Sequence, residues 1–166
     1  VVQGYEDGTF RPDQEVTRAE ALKMILVGSG VEIPALDTYE FPFSDLENDG
    51  WYLSYLNEGY SSGIIDGYDD GTFKPHQTIN LAETLKMLLL AQGTTVEDPD
   101  SDPFADVDMG VWFAAYADYA KDLNLIEAED DGLMHAEQNV TRAELSEIMY
   151  RLMYIEENGL DEFDIS

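Results

Sequence analysis

The chain has 166 residues, 44% of them apolar and 11% aromatic, with 36 acidic residues against eight basic ones and no cysteine. Those apolar and aromatic fractions suit a packed core rather than a disordered acidic tail, and the absence of cysteine excludes disulfides, thiol nucleophiles and cysteine–metal sites. A formal net charge of −28 repels nucleic acid and anionic lipid, and no apolar run reaches the roughly 18 residues that a membrane-spanning helix needs.

The first predicted element is a turn loop, Gly4-Tyr5-Glu6-Asp7-Gly8-Thr9-Phe10-Arg11-Pro12, followed by a helix from Thr17 to Val27 that Gly28 or Gly30 stops. A connector with Pro and acids but no helical period runs over 30–42. Phe43-Ser44-Asp45 and Asp49-Gly50 then lead into Trp51, Tyr52, Tyr55, Leu56 and Gly59, whose spacing marks one face of a helix. Gly63 ends it, and its counterpart Asn124 is the other residue type that readily takes the left-handed cap conformation. Ile64-Ile65 enters a second turn loop, Gly67-Tyr68-Asp69-Asp70-Gly71-Thr72-Phe73-Lys74-Pro75, in which Gly71 supplies a positive φ. A second helix starts at Asn80 and ends at Gly93, with Leu81, Leu85, Leu88 and Leu89 in register. After a connector over 92–103, Phe104-Ala105-Asp106 and Trp112-Phe113 repeat the earlier pattern; Asp130-Asp131-Gly132-Leu133-Met134 is a degraded loop, and Thr141 to about Glu157 is the last helix.

The chain is therefore a tandem repeat with offsets of 63 and then 61 residues. A helix–loop–helix unit cannot bury its apolar faces alone, so three units must pack together around a common axis. Val1 aligns with Ile64, which leaves repeat 1 without its first helix. The expected boundaries are 1–33 for the C-terminal half of repeat 1, 39–98 for repeat 2, 99–158 for repeat 3 and 159–166 for an acidic tail, all packed as one domain.

Thr17-Arg18-Ala19-Glu20, Asn80-Leu81-Ala82-Glu83 and Thr141-Arg142-Ala143-Glu144 open the second helix of each unit. The Thr or Asn and the Glu three residues on form a capping box, so structure accounts for both. The arginines need another reason, because a cation in the first turn opposes the helix dipole. Basic residues also recur at equivalent places, Arg11 with Lys74 and His135, and Lys23 with Lys86. A helix start carrying Arg suits an anion or a polyol, and a local ion pair is the alternative. Trp51, Tyr52, Trp112 and Phe113 at helical spacing suit the core, whereas Tyr5 and Tyr68 beside the turn glycines could stack on sugar faces. The acidic surface serves solvation, or it collects divalent cations.

Catalytic signatures are absent: His76 and His135 lack metal-protease spacing and no serine sits in a nucleophile elbow. Asp45-Glu47-Asp49-Gly50 and Glu127-Glu129-Asp131-Gly132 begin like calcium loops, but Leu56 and Gln138 stand where the closing Glu belongs. The cluster Asp98, Asp100, Asp102, Asp106 and Asp108 could hold calcium or be a solvated acidic loop. No cofactor is expected to be required, with Ca2+ as the one candidate.

Phe-x-Asp, Trp, Gly-Ile-Ile-x-Gly-Tyr-x-Asp-Gly-Thr-Phe-x-Pro and Thr-Arg-Ala-Glu, in that order, strongly resemble the S-layer homology repeat of bacterial surface proteins over nearly the whole chain. The resemblance implies an all-α, pseudo-threefold domain with a central helical bundle and three prongs bearing the Thr-Arg-Ala-Glu helices. It also implies an extracellular, cell-wall location and grooves that bind wall carbohydrate, either an acidic pyruvylated polymer or a peptidoglycan-linked glycan, with Arg18 and Arg142 as contacts. Leu81 replaces the arginine in repeat 2, and Ala128-Glu129 and Met134 replace the Gly-Tyr and Phe of repeat 3. The candidate ligand-binding set is Arg18, Arg142, Tyr5, Asp7, Gly8, Tyr68, Asp70, Gly71, Lys23 and Lys86. The expected function is a non-catalytic wall anchor within a larger surface protein. The alternative is a subunit of a surface layer or filament that pairs with its own copies by helix complementation.

Overall fold

The computed structural model describes residues 4–5, 7–35, 40–128 and 131–164. Val1, the expected counterpart of Ile64, and Glu129, which stands at the motif-tyrosine position of repeat 3, lie outside them. The described chain is all-α: α1 (Arg18–Gly28), α2 (Leu53–Ser61), α3 (Leu81–Ala91), α4 (Ala114–Asp122) and α5 (Arg142–Asn158), with isolated β-bridges and no strand among the described residues.

The three motif helices start where the capping chemistry says they should. Thr17, Asn80 and Thr141 are extended N-cap residues whose side chains accept from the backbone of Glu20, Glu83 and Glu144, and each Glu returns a carboxylate to its cap N–H. Left-handed residues end the first helices as the sequence predicts, Gly63 at φ 69° and Asn124 at φ 53°. Gly30 and Gly93, at φ 71° and 69°, lie just past α1 and α3. Their counterpart in repeat 3 is Tyr154, so α5 runs on until Gly159 takes the left-handed cap at φ 61°.

A ring of backbone hydrogen bonds joins the repeats. Val16 N–H donates to the Val140 carbonyl, Val140 N–H to Ile79, and Ile79 N–H to Val16, at 3.0, 3.0 and 3.1 Å. All three side chains are buried. The first N–H of each motif helix, an orphan donor within its own helix, donates to the next repeat: Arg18 to Gln77 (2.8 Å), Leu81 to Gln138 (3.0 Å) and Arg142 to Gln14 (2.9 Å). Head-to-tail closure thus satisfies donors that an isolated repeat would expose.

Packing follows the same order. The α2 helix of repeat 2 lies on α1 of repeat 1, α4 of repeat 3 lies on α3 of repeat 2, and α1 touches both α3 and α5. Leu22, Ile25, Leu26, Leu56, Leu85, Leu88 and Leu89 fill these contacts and are fully buried or nearly so. Within repeat 2, the Asp45 carboxylate accepts from the Phe73 and Lys74 amides at 2.9 and 2.7 Å. Asp106 does the same for Met134 and His135 at 2.9 Å each. The Phe-x-Asp motif therefore ties the entry of each unit to its turn loop. Gly67 has to lack a side chain, because a Cβ there would collide with the Phe43 ring.

Candidate functional site

Motif arginines sit at the seams between repeats. The Arg18 Nε donates to the Phe73 carbonyl at 2.9 Å, and its Nη1 pairs with Glu83 Oε1 at 3.0 Å. The guanidinium lies 4.6 Å from the Tyr68 ring centroid and 4.8 Å from that of Phe73. Arg142 repeats this at the other seam, donating to the Phe10 carbonyl at 2.9 Å and lying 4.8 and 5.0 Å from the Tyr5 and Phe10 rings. Both side chains turn away from their own helix onto the next repeat, which removes the dipole conflict that their position implies. Relative exposures of 5% for Arg18 and 6% for Arg142 make them wall components rather than protruding contacts. The ion pair of Arg18 spans 65 positions (83 − 18), so it is not local.

Arg18 lines a cleft of about 660 Å³ that also takes in Asp66, Tyr68, Glu83, Lys86 and Trp112. Tyr68 donates its hydroxyl to Glu83 at 2.7 Å. Burial, then this bond to a carboxylate, pushes its pKa up to about 12. Lys86 reaches Asp66 at 3.3 Å and lies 5.8 Å from the Trp112 ring. At the Arg142 seam the matching parts are Tyr5, Met24 at 3.9 Å from the guanidinium, and Lys23, which lies 5.5 Å from Trp51 and 5.7 Å from Tyr55. The Tyr5 hydroxyl is buried with no partner among the described residues, unlike that of Tyr68.

The structure thus brings Arg18, Tyr68 and Lys86 into one cleft and places Arg142 beside Tyr5. Asp7, Gly8, Asp70 and Gly71 lie at the loop tips. There Asp7 accepts from the Thr9 amide and hydroxyl at 2.9 and 2.6 Å and pairs with Arg11 at 2.8 Å. Asp70 accepts from the Thr72 amide at 3.0 Å and from its hydroxyl. Bonds from the Thr hydroxyl hold both carboxyls below the usual range. Gly8 and Gly71, at φ 79° and 77°, complete the same turns. After each turn comes a residue the sequence gives no reason to expect there, since Arg11, Lys74 and His135 adopt φ 55–58°. Their side chains return to the loop: Arg11 lies 4.0 Å from the Tyr5 ring, Lys74 lies 4.0 Å from that of Tyr68, and His135 bonds Asp131 at 2.8 Å.

Two features escape the sequence reading. Trp51 and Trp112 are 51% and 57% exposed, while Tyr52 and Phe113 beside them are buried. Adjacent positions cannot share one face of a turn, so only one of each aromatic pair enters the core. Glu83 is the other: besides capping α3 it receives Arg18 and Tyr68, a double duty that spacing within one repeat cannot reveal. Three acids of the 98–108 cluster are engaged by backbone, Asp102 by Met109 N–H and Asp108 by Gly110 N–H, both at 2.8 Å, and Asp106 by the Met134 and His135 amides. Among the described residues no three acids or histidines converge to hold a metal.

The third seam is built from the same positions. Leu81, Leu125, Ile126, Glu127, Gln138, Glu144, Glu147 and Ile148 line a cleft of about 460 Å³. Taken in order they replace Arg18, Ile64, Ile65, Asp66, Gln77, Glu83, Lys86 and Met87 of the Arg18 cleft.

The sequence profile of the S-layer homology domain matches residues 1–22, 42–85 and 103–146. Cell surface glycoprotein 1 of Acetivibrio thermocellus is 29% identical over 161 residues, covering 92% of this chain and 7% of that protein. The cellulosome-anchoring protein of the same organism is 30% identical over 132 residues (71% of this chain, 26% of the relative). The amylopullulanase of Thermoanaerobacterium thermosulfurigenes is 27% identical over 158 residues (92% and 8%). In each comparison this chain spans about a quarter or less of the relative's length. Matched repeat by repeat, and closed by bonds that run from each repeat to the next, the chain belongs to the S-layer homology domain family.

Proposed function

We propose that this chain is a non-catalytic anchoring module at the cell surface that holds a larger protein to wall carbohydrate through the cleft at the Arg18 seam. The observation that carries the reading is the composition of that cleft. In a chain with eight basic residues, two of them, Arg18 and Lys86, share one recess with Tyr68 and the exposed Trp112. Cations beside aromatic faces suit a sugar bearing a carboxylate: the ring stacks on the indole and Lys86 meets the charge. The Arg18 guanidinium sets the floor and fixes Glu83 and Tyr68. Binding in this form requires no cofactor. Asp66, Asp69, Glu83 and Glu137 line the recess beside the two cations, and the chain is strongly acidic throughout, so moderate salt aids approach by screening these carboxylates.

The test is co-sedimentation of the chain with isolated wall sacculi. Trp112→Ala combined with Lys86→Glu alters one exposed and one partly buried side chain of the cleft while leaving Arg18 and its bonds to Phe73 and Glu83 in place. Retention of the wild type with clear loss in the double variant supports the proposal. Equal retention of both sinks it.

A further inference from the structure

The seam between repeats 2 and 3 keeps the shape of the Arg18 cleft and changes its chemistry. Leu81 stands in place of Arg18, and Glu147 in place of Lys86. Leu125, Met134 and Ile148 give it a buried apolar floor, with Leu81 only partly covered above them. Arg151 lines this cleft too, but its Nη1 donates to the Asn124 carbonyl at 3.0 Å and to Glu127 at 2.8 Å, and its Nε to Glu147 at 2.9 Å. That guanidinium is already satisfied by the protein.

Glu144 carries the argument. Its Oε2 accepts from the Thr141 amide and hydroxyl at 2.7 and 2.8 Å, as a capping-box carboxylate must. Its side chain is exposed, and its Oε1 has no protein partner among the described residues. In the Arg18 cleft the same oxygen of the equivalent Glu83 takes a guanidinium at 3.0 Å and a phenol at 2.7 Å. One fold thus shows the position both with a cation seated on it and with the cation replaced by an aliphatic wall.

We propose that the Leu81 cleft is a receptor for a primary ammonium on an aliphatic stem, as borne by the diamino-acid side chain of a peptide. The ammonium sits on Glu144 where the guanidinium sits on Glu83, and the methylenes lie on Leu81, Met134 and Ile148. An alkyl stem uses the apolar floor better than a hydroxylated sugar ring does, and the net charge of −28 draws in cations. This assignment is independent of the anchoring reading, which concerns the other cleft, so either can fail alone.

The experiment is a methyl NMR titration of the intact chain with Nα-acetyl-lysine amide, alongside its neutral Nε-acetyl derivative and glucosamine. Saturable shifts confined to Leu81, Met134 and Ile148 are expected with the first probe. Glu144→Gln keeps the cap, since Gln also serves at that capping-box position, and it should weaken binding by about tenfold or more through loss of the charge-assisted bond. Leu81→Arg should abolish binding by seating an internal cation on Glu144, while the thermal midpoint holds or rises. Absence of saturation, equal affinity for the neutral derivative, or unchanged affinity in Glu144→Gln overturns the proposal. Tighter binding of glucosamine overturns the peptide assignment.

Discussion

Replacing Arg18 by Leu copies into its seam what the Leu81 seam already contains. The change removes the donor to the buried Phe73 carbonyl at 2.9 Å and the partner of Glu83 at 3.0 Å. Leaving a buried carbonyl unsatisfied costs about 1–3 kcal/mol. The two ring contacts at 4.6 and 4.8 Å add about 0.5–1 kcal/mol each at their exposed-site value. Glu83 keeps its cap amide and Tyr68, which limits the electrostatic penalty, and the leucine recovers part of the loss by packing. The expected net is about 3 kcal/mol, which for a chain of this length lowers Tm by roughly 6–12 °C. Urea unfolding of Arg18→Leu, Glu83→Gln and the pair gives the coupling between the two side chains. A loss below about 1 kcal/mol for Arg18→Leu, within reach of an ordinary surface change, would refute a structural role for the motif arginine.

Further expectations concern pH, backbone and the exposed aromatics. Tyr68 holds its proton up to about 12 in the fold and to about 10 when unfolded. Its contribution is therefore complete below pH 10 and is lost as pH rises towards 12, and alkaline melts should show Tyr68→Phe losing less stability over that window. Desolvation lifts the Asp106 carboxyl, but the Met134 and His135 amides outweigh it and hold its pKa below normal. Its stabilisation is present above the ordinary Asp value near 4 and is lost as pH falls below it; acid unfolding curves of Asp106→Asn and wild type should converge near the bottom of the titration. His135→Gly relieves a left-handed φ of 55° and should be neutral to stabilising by up to about 1 kcal/mol in thermal melts. Trp112→Ala removes a 57% exposed side chain and should shift urea stability by no more than about 0.5 kcal/mol.

Much of the fold was legible because each unit repeats its local chemistry. The capping boxes at Thr17, Asn80 and Thr141, the left-handed Gly63 and Asn124, and the late stop at Gly159 all follow from residue type and spacing. The seams were not legible in the same way. That Arg18 reaches Phe73 and Glu83, and Arg142 reaches Phe10, is decided by closure between repeats 55 to 132 positions apart. The exposure of Trp112 does not follow from helical spacing because the residue stands two positions before Ala114, in the turn ahead of the N-cap Phe113. The left-handed Lys74 and Arg11 were missed because neither residue favours that conformation; the loop holds them there through Asp45 and the Asx turn.

The central claim is that the Arg18 cleft receives a carboxylate-bearing wall sugar. Its most direct measurement is an indole-detected NMR titration of the intact chain with acidic oligosaccharides released from the wall, with Trp112→Ala assigning the signal. The account predicts saturable shifts of the Trp112 indole and the Lys86 amide, weakened by about tenfold or more in Lys86→Glu as a charge-assisted contact is lost. Binding that leaves both signals unmoved, or that is indifferent to Lys86→Glu, would contradict it.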